Sequence, residues 1–339
     1  MPPAPSLPEL RWFNAADVIA AMPPLDDRIR LAEVTMTALA REGAAELPPK
    51  IAIHPRPAAS FVHAMPAHLR SSASGADAAS KDLIGMKWVS GFATNTALGL
   101  PGISAIVVVN DPETGIPTAI LDGGPITAQR TAAVSGLAIR TWGPGANAVD
   151  IGLIGTGVQG HSHLPVLGHL LPGSTLHVYD RDPARTEAFA ETAAATPGIA
   201  RVVVAASALE AIEPADVVVT AASFGPPEDR QPMTNAWLKP DATIVPIDYD
   251  TYCAAEVPRD AALFVVDQRE QYLATRGTGY FRDYPDPMAT IGEAIVAGTK
   301  RPAGRVVATH LGVGLADLVF ADAIVRRAIA AGRGTRLSR

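Results

Sequence analysis

The chain has 339 residues, 48% of them hydrophobic and 18% charged, which is typical of a globular enzyme with about two domains. Its net charge of −6 and the lack of a basic tract argue against nucleic acid as a partner. Cys253 is the only cysteine, MPPAPSLPEL does not resemble a signal peptide, and no stretch reaches about 18 uninterrupted apolar residues, so we expect a cytoplasmic protein without disulfides or membrane spans.

Residues 9–45 predict two helices. The first is expected after Asn14, a candidate N-cap, and Pro23 and Pro24 then break the helical pattern. The second resumes after these prolines and runs to Gly43.

Strand patterns follow this helical region. They lie in KIAIHP, ASFVHAMP, IGMKWVSG and ISAIVVVNDPETGIPTAILD. In the last segment DPETG separates two β-rich runs, and its proline and glycine favour a β-hairpin. The small polar residues at 71–80 predict an exposed loop.

From ITAQRTAAVSGLAIRTW onward, helices and strands alternate. An Ala-rich helix comes first, and apolar runs of the parallel-strand type are then separated by helical or turn segments. The closing LADLVFADAIVRRAIAAG is an amphipathic helix that we expect to pack on the first domain. The predicted fold class is therefore α/β, with a Rossmann-type doubly wound parallel sheet at 131–314 and a mixed α/β domain at 1–130 completed by a helix at 315–339.

The segment GLIGTGVQGH contains glycines with the spacing G-x-G-x-x-G, which alone is a weak indication. Here the loop follows a strand and opens a helix, and the next strand ends at Asp180, about 20 residues further on, as in dinucleotide-binding folds. The first glycine would permit the tight turn, the second the approach of a pyrophosphate, and the third close packing of helix and strand. We therefore assign cofactor binding to Gly155, Thr156, Gly157, Val158, Gln159 and Gly160.

Asp180 is expected to accept hydrogen bonds from the adenosine ribose. It would repel a 2′-phosphate, which favours NAD(H), although Arg181 and Arg185 would partly offset that repulsion and keep NADP possible. The alternative to cofactor binding, for the glycine loop and Asp180 together, is a glycine-rich turn followed by a solvated acid.

Ligands of open parallel sheets bind beyond the carboxyl ends of the strands, and this rule selects Thr220, Ser223, Asp248 and Asp250. Either acid could exchange protons with a substrate nitrogen or a water, or could simply cap its turn.

Lys87 lies between Met86 and Trp88 in an apolar strand, so we expect it to have an anionic partner. Arg130 opens the Ala-rich helix between the two domains and could hold a carboxylate bidentately. An internal salt bridge is the alternative for both. His161 and His163 form an H-x-H pattern that we interpret as a polar helix face rather than a metal site.

The combination of D-P-x-T-G, R-T-A-A and G-x-G-x-Q, within a chain similar from about Pro48 through the final helix, resembles the ornithine cyclodeaminase and mu-crystallin family. The resemblance implies a Rossmann domain beside a mixed α/β domain that binds substrate and forms a homodimer. It also implies a nicotinamide cofactor acting on the Cα–N bond of a small amino, imino or keto acid.

Several site residues are assigned by this resemblance. Lys87 and Arg130 match the pair that binds the substrate carboxylate, Lys50 stands where another basic residue is usual, and Thr131 would help to seat the cofactor. Asp250 matches the catalytic aspartate of the cyclodeaminases and, with Lys87, forms the predicted catalytic set.

One position departs from the cyclodeaminase pattern. Just before Met65 and Pro66 those enzymes carry an acid that helps to hold the substrate, whereas this chain has His63. A histidine does not offer the same fixed charge to a distal ammonium. Reduction of an imino or keto acid is therefore our first hypothesis, ornithine or lysine cyclodeamination is the second, and a non-catalytic binding protein of the mu-crystallin type is the third.

Overall fold

The computed structural model describes residues 7–56, 60–71, 81–145 and 149–339, and the chain divides into two compact units. The first comprises Met1–Arg130 and Val313–Arg339, and the second comprises Thr131–Gly312. The polar loop expected at 71–80 lies, apart from Ser71, outside the described residues.

Strands predominate in the first unit, whereas strands and helices alternate in the second. The first unit begins with β1 (Leu10–Phe13), α1 (Ala15–Ala20), α2 (Leu25–Leu39), β2 (Ala45–Glu46), β3 (Ile51–Ile53), β4 (Ser60–Leu69), β5 (Leu83–Phe92), β6 (Ile103–Asn110) and β7 (Pro117–Asp122). Helix α3 (Gly123–Trp142) then belongs to the first unit up to Arg130 and to the second unit from Thr131 onward. The second unit continues with β8 (Asp150–Ile154), α4 (Val158–Leu170), β9 (Ser174–Tyr179), α5 (Pro183–Ala194), β10 (Ile199–Val204), α6 (Ala208–Ile212), β11 (Val217–Thr220), β12 (Thr243–Pro246), α7 (Glu256–Arg259), β13 (Leu263–Val266), α8 (Arg269–Arg276), β14 (Ala289–Thr290), α9 (Ile291–Val296) and β15 (Val306–Thr309). The chain closes with α10 (Gly314–Ala330) and β16 (Thr335–Leu337).

The first unit is built on an eight-stranded mixed sheet in the order β16-β1-β7-β6-β5-β4-β2, with β3 paired to β4. The predicted hairpin is confirmed, because β6 and β7 pair antiparallel across the DPETG turn. The final helix α10 packs on β4, β5 and β6, which confirms the destination predicted for it. Burial alternates along β5, as a sheet covered on one face requires.

The prediction of helix from residue 9 onward is wrong at its start, where β1 forms instead. This strand pairs parallel with β7 and antiparallel with β16, so its partners are far away in sequence and leave no local pattern. The two predicted helices do follow it, and the Asn14 side chain caps α1 by accepting a hydrogen bond from the Asp17 backbone. The second helix, α2, ends at Leu39, before Gly43.

The second unit is a parallel sheet in the order β10-β9-β8-β11-β12-β15-β13-β14. Its central strands are buried throughout, which explains their continuous apolar sequences. The strand order reverses between β8 and β11, so the loop after β8 lies at the topological switch point where such folds bind ligands. The predicted Rossmann-type doubly wound sheet is confirmed. Its strands β14 and β15 are additions that the sequence patterns do not indicate, and so is β16 in the mixed sheet of the first unit.

Candidate functional site

The loop between β8 and α4 and the first turn of α4 each have one position that only glycine fits. Gly155 has a φ of +98°, and a Cβ there would lie 2.4 Å from the Ala221 carbonyl oxygen. A Cβ on Gly160 would lie 2.3 Å from the Gly155 carbonyl oxygen, so helix and loop pack closely. At Gly157 the nearest atom to such a Cβ is a guanidinium nitrogen of Arg185 at 3.7 Å, which leaves room beside the loop.

Gly157 is also the N-cap of α4, and among the described residues no side chain caps this helix end. The first backbone N–H groups of a helix lack intrahelical partners and carry partial positive charge. A tight turn, an open glycine and an uncapped helix start together form a cradle that fits a phosphate group. Val158 at the start of the helix is 70% exposed, and Gln159 is half-buried.

Asp180 follows β9 and is tied to the glycine loop. Its Oδ2 accepts hydrogen bonds from the Thr156 backbone N–H at 2.8 Å and from the Thr156 hydroxyl at 2.9 Å. Burial opposes ionisation, but the hydrogen bonds from Thr156 and Asp182 and the charge of Arg185 bring the pKa of Asp180 below its ordinary value. An ionised carboxylate therefore borders the loop, while the neighbouring Arg181 is exposed.

The ends of β11 and β12 are joined through Asp248. The Thr220 hydroxyl donates to Asp248 Oδ1 at 2.7 Å, and the Ala222 backbone N–H donates to Oδ2 at 3.1 Å. Burial raises the pKa of Asp248 to about 7. Both Asp248 and Thr220 are buried, so their side chains hold the two strand ends together, whereas Ser223 is exposed.

Asp250 lies two residues further on and has different neighbours, and Tyr249 between the two acids has a left-handed backbone with a φ of 59°. The Gln231 side-chain amide donates to Asp250 Oδ2 at 3.3 Å, and a guanidinium nitrogen of Arg230 lies 3.6 Å from Oδ1. Asp250 is 1% exposed, and its Oδ1 has no hydrogen-bond partner among the described residues. A buried carboxyl oxygen without a hydrogen-bond partner can exchange a proton with a ligand.

In the first unit, Lys87 has the anionic partner that its sequence context predicts. This partner is Asp317, near the start of α10. Lys87 Nζ lies 2.7 Å from Asp317 Oδ2, and Arg130 Nε donates to Oδ1 at 3.0 Å. Strand alternation turns Lys87 toward α10, and Gly85 on the same face lets the helix approach, since a Cβ there would lie 2.7 Å from a Leu318 methyl carbon. The internal salt bridge considered as the alternative therefore exists.

All three members of this triad are buried, and two cations share one carboxylate. Burial lowers the pKa of Lys87 to about 7, an effect that the Asp317 charge opposes and the Arg130 charge reinforces. Burial acts to raise the pKa of Asp317, but Arg130 and Lys87 bring it below its ordinary value. The triad therefore carries excess positive charge whenever Lys87 is protonated.

His63 lies on β4 of the same unit, stacked on Phe61 with 4.5 Å between the ring centroids. Burial, followed by the charges of Lys50, His54 and Lys87, lowers its pKa to about 4. The imidazole is therefore neutral near pH 7, and Lys50, just before β3, is half-buried.

The histidines of the H-x-H pattern have separate environments. His161 meets the edge of the Phe189 ring, whereas His163 is fully buried, with Nδ1 2.6 Å from the Gln159 carbonyl and Nε2 2.8 Å from the Ser135 hydroxyl. The interpretation as a polar helix face is therefore wrong for His163, which packs toward α3. Burial lowers the pKa of His163 to about 4.

Within the described ranges, no group of three or more His, Cys, Asp or Glu side chains is arranged to hold a metal ion. Nor does this part of the chain contain a helix of the length and apolar character needed to cross a bilayer. Thr131, predicted to seat the cofactor, is buried in α3.

Comparison with known proteins gives consistent matches along the chain. Residues 24–331 match the ornithine cyclodeaminase/mu-crystallin family. The nodulation efficiency protein NfeD of Rhizobium meliloti is 31% identical over 97% of this chain and 98% of its own length, and the ketimine reductase mu-crystallin of Mus musculus is 30% identical over 78% and 79%. Among solved structures, the Thermococcus litoralis Delta(1)-pyrroline-2-carboxylate reductase in complex with NADH and L-proline is 26% identical, with a TM-score of 0.81 over 96% of this chain and 100% of that one.

Proposed function

Because this chain belongs to the ornithine cyclodeaminase/mu-crystallin family, we propose that it is an NAD(P)-dependent oxidoreductase that reduces the C=N bond of an α-imino acid. The observation that carries the proposal is the buried triad of Lys87, Arg130 and Asp317, in which two cations share a single carboxylate. Burying excess charge is costly, so this arrangement calls for one more anion. The carboxylate of an amino or imino acid supplies that anion.

The cofactor site is proposed at the switch point of the parallel sheet. The cradle formed by Gly155, Gly157 and Gly160 would hold the pyrophosphate, and Asp180 would accept hydrogen bonds from the ribose. When bound, the nicotinamide supplies a hydride, that is, two electrons and one proton. Further contacts are proposed for residues around this cradle: Thr131, Thr156, Val158, Gln159, Arg181, Thr220 and Ser223.

Lys87 and Arg130, with Lys50, are proposed to hold the substrate carboxylate and so to orient its Cα. Reduction then adds the hydride to Cα and one proton to the nitrogen, and the C=N double bond becomes a C–N single bond. Asp250 is proposed to deliver that proton, because its buried Oδ1 has no hydrogen-bond partner among the described residues. The Mus musculus and Thermococcus litoralis relatives, a ketimine reductase and a Delta(1)-pyrroline-2-carboxylate reductase, support the same reaction class.

The substrate is proposed to lack a distal ammonium. His63 is neutral near pH 7 and therefore provides no negative charge for the side-chain amine of ornithine or lysine. This favours net reduction over cyclodeamination, in which the hydride is removed from the substrate and later returned.

The second copy of the chain in the proposed homodimer would cover the outer face of the mixed sheet. A row of apolar residues crosses this face in register from β3 to β6: Ile51, Ala64, Trp88 and Ile106. Ile51 is 62% exposed, Trp88 is 44% exposed and Ile106 is 39% exposed. A continuous apolar row of this kind is typical of an interface between subunits.

The proposed compartment, given a single buried cysteine, is the cytoplasm.

The test is to follow NADH and amino acid together. With NADH and a cyclic imino acid, or an α-keto acid plus an amine, we expect one NADH to be oxidised for each amino acid formed. With NAD and ornithine, proline and ammonia should form poorly. Rapid proline formation at constant NADH would instead identify a cyclodeaminase, and saturable NADH binding without turnover of any substrate would identify a binding protein.

A further inference from the structure

The described residues other than glycine that have a left-handed backbone are Gln231, Tyr249, Phe281 and Asp283, with φ values of 67°, 59°, 53° and 64°. They lie in three loops of the second unit, and these loops meet around Asp250. Such backbone conformations cost free energy in residues with a side chain, and they persist where the surrounding contacts hold them. Their concentration in one place indicates that the geometry around Asp250 is maintained against strain.

Gln231 connects the three loops. Its side-chain amide donates to Asp250 Oδ2 at 3.3 Å and to the Arg282 carbonyl at 3.1 Å, while its side-chain oxygen accepts from the Ala255 backbone N–H at 3.0 Å. Its own backbone N–H donates to the Thr251 carbonyl at 3.0 Å. One side chain therefore fixes Asp250 relative to the segments on either side of it.

Arg230 is held just as firmly beside the other carboxylate oxygen. Its Nε donates to the Gly225 carbonyl at 3.0 Å, and its guanidinium carbon lies 4.3 Å from the centroid of the Tyr280 ring. The Tyr280 ring in turn meets the edge of the Tyr249 ring, with 5.4 Å between centroids. The guanidinium is thus fixed 3.6 Å from Asp250 Oδ1 without closing a short hydrogen bond to it.

We propose that Arg230 and Gln231 are positioning residues that orient the Asp250 carboxyl group, leaving Oδ1 to face the substrate nitrogen. This inference rests on the proposed function, in which Asp250 gives its proton to that nitrogen. The proton passes from Oδ1 to the nitrogen, and the guanidinium stabilises the carboxylate that remains. Gln231 occupies Oδ2, so the orientation of the group is fixed before the substrate arrives.

The main test compares Arg230→Met with Arg230→Lys and uses Arg276→Met as the control. Arg276 also lies over a tyrosine ring, that of Tyr272, and bonds to a loop carbonyl, but it pairs with Asp286 instead of Asp250. We expect Arg230→Met to lower kcat at least about tenfold while the substrate KM and the Kd for NADH, measured by fluorescence, change less than about twofold. Arg230→Lys should recover part of kcat, and Arg276→Met should leave kcat unchanged.

The double variant Arg230→Met with Asp250→Asn tests whether Arg230 acts through Asp250. We expect Arg230→Met to add no further loss of kcat once Asp250 is an amide. An equal loss in both backgrounds would overturn the inference, and so would an unchanged kcat in Arg230→Met when Asp250→Asn is impaired. Full activity of Asp250→Asn would instead remove Asp250 from the proposed mechanism, which is a distinct failure.

Gln231→Glu provides a second variant if Arg230→Met does not fold. It keeps an acceptor for the Ala255 N–H but places a negative charge beside Asp250 Oδ2, so kcat should fall while NADH binding and the melting temperature are retained. An unchanged kcat in folded Gln231→Glu would also overturn the inference.

Discussion

Lys87 on β5 and Asp317 on α10 form a buried ion pair, with 2.7 Å between Nζ and Oδ2. The lysine side chain is 2% exposed and the aspartate is fully buried. Because Arg130 shares the same carboxylate, each charge in the triad depends on the other two. Replacing any one of the three residues therefore changes the electrostatic environment of the remaining pair.

Asp317→Asn is expected to destabilise the protein strongly, because it leaves two buried cations without their counter-charge. Removing one partner of a buried ion pair costs about 3–5 kcal/mol. Equilibrium denaturation with urea measures the change. Asp322→Asn on the same helix is the matched control, since Asp322 pairs with the exposed Arg326 and its loss should cost less than about 1 kcal/mol. Equal effects of the two variants would contradict the prediction.

Lys87→Met and Arg130→Leu are each expected to raise the substrate KM or abolish turnover while NADH affinity stays nearly intact. A charge-assisted hydrogen bond to a carboxylate contributes about 1.5–3 kcal/mol, so we expect a loss of roughly tenfold or more in kcat/KM. Steady-state kinetics and NADH titration measure this, with the melting temperature recorded alongside. Arg140→Leu, on the exposed part of α3, should behave like the unmodified protein. If both site variants merely unfold, the triad has a structural role only.

The value of kcat/KM for the substrate is expected to fall as pH rises above about 7. Burial lowers the pKa of Lys87 to about 7, so the ammonium that is proposed to bind the substrate carboxylate is present below this pH and is lost above it. The charged groups that act on Lys87 are Asp317, Arg130 and Lys50, and Asp317 stays ionised throughout this range. A pH profile of kcat/KM measures the decline, which should disappear in Lys87→Met. A profile that is flat from about pH 6 to about pH 9 would be inconsistent with a carboxylate-binding Lys87.

The enzyme is expected to prefer NADH to NADPH. Asp180 is ionised, and its charge would repel a 2′-phosphate. Asp180→Ala should raise kcat/KM for NADPH and lower it for NADH. Because Asp180 also holds Thr156, Thr156→Val serves as the control for loop geometry and should not change the preference. A clear NADPH preference of the unmodified enzyme would refute the prediction.

Trp88→Glu is expected to convert the proposed homodimer to a monomer, because it places a charge in the centre of the apolar row on the mixed sheet. Light scattering coupled to size-exclusion chromatography measures the mass. Ile329→Glu is the control, since Ile329 is 47% exposed on α10 of the same unit. A protein that is already monomeric before substitution would rule out this interface.

The parts of the fold that the sequence predicts are those whose cause is local. The β8-α4-β9 segment is predictable because its glycines, its apolar runs and Asp180 follow one another within a short stretch. The strands β1 and β16 are not, because each forms only when it meets a partner from a distant part of the chain.

The same distinction applies to the candidate site. Because Lys87 lies in an apolar strand, the sequence predicts an acid beside it. That this acid is Asp317 is not predictable in the same way, since it depends on the packing of α10 against β5, which is distant in sequence. A usable indication is present, because Asp317 is a charged residue inside an apolar stretch of an amphipathic helix. Arg230 and Gln231 give no such indication, since they lie in a polar, proline-rich loop of ordinary composition.

The return of α10 to the mixed sheet has a consequence for biosynthesis. The second unit is continuous in sequence, so all of its strands have left the ribosome once Gly312 has emerged. The sheet of the first unit, apart from β16, is synthesised earlier, yet β4, β5 and β6 keep an uncovered apolar face, with Lys87 lacking its counter-ion, until α10 is made. Translation therefore begins with the unit that must finish folding last, and a pause or truncation before residue 314 would expose that face to chaperones and proteases.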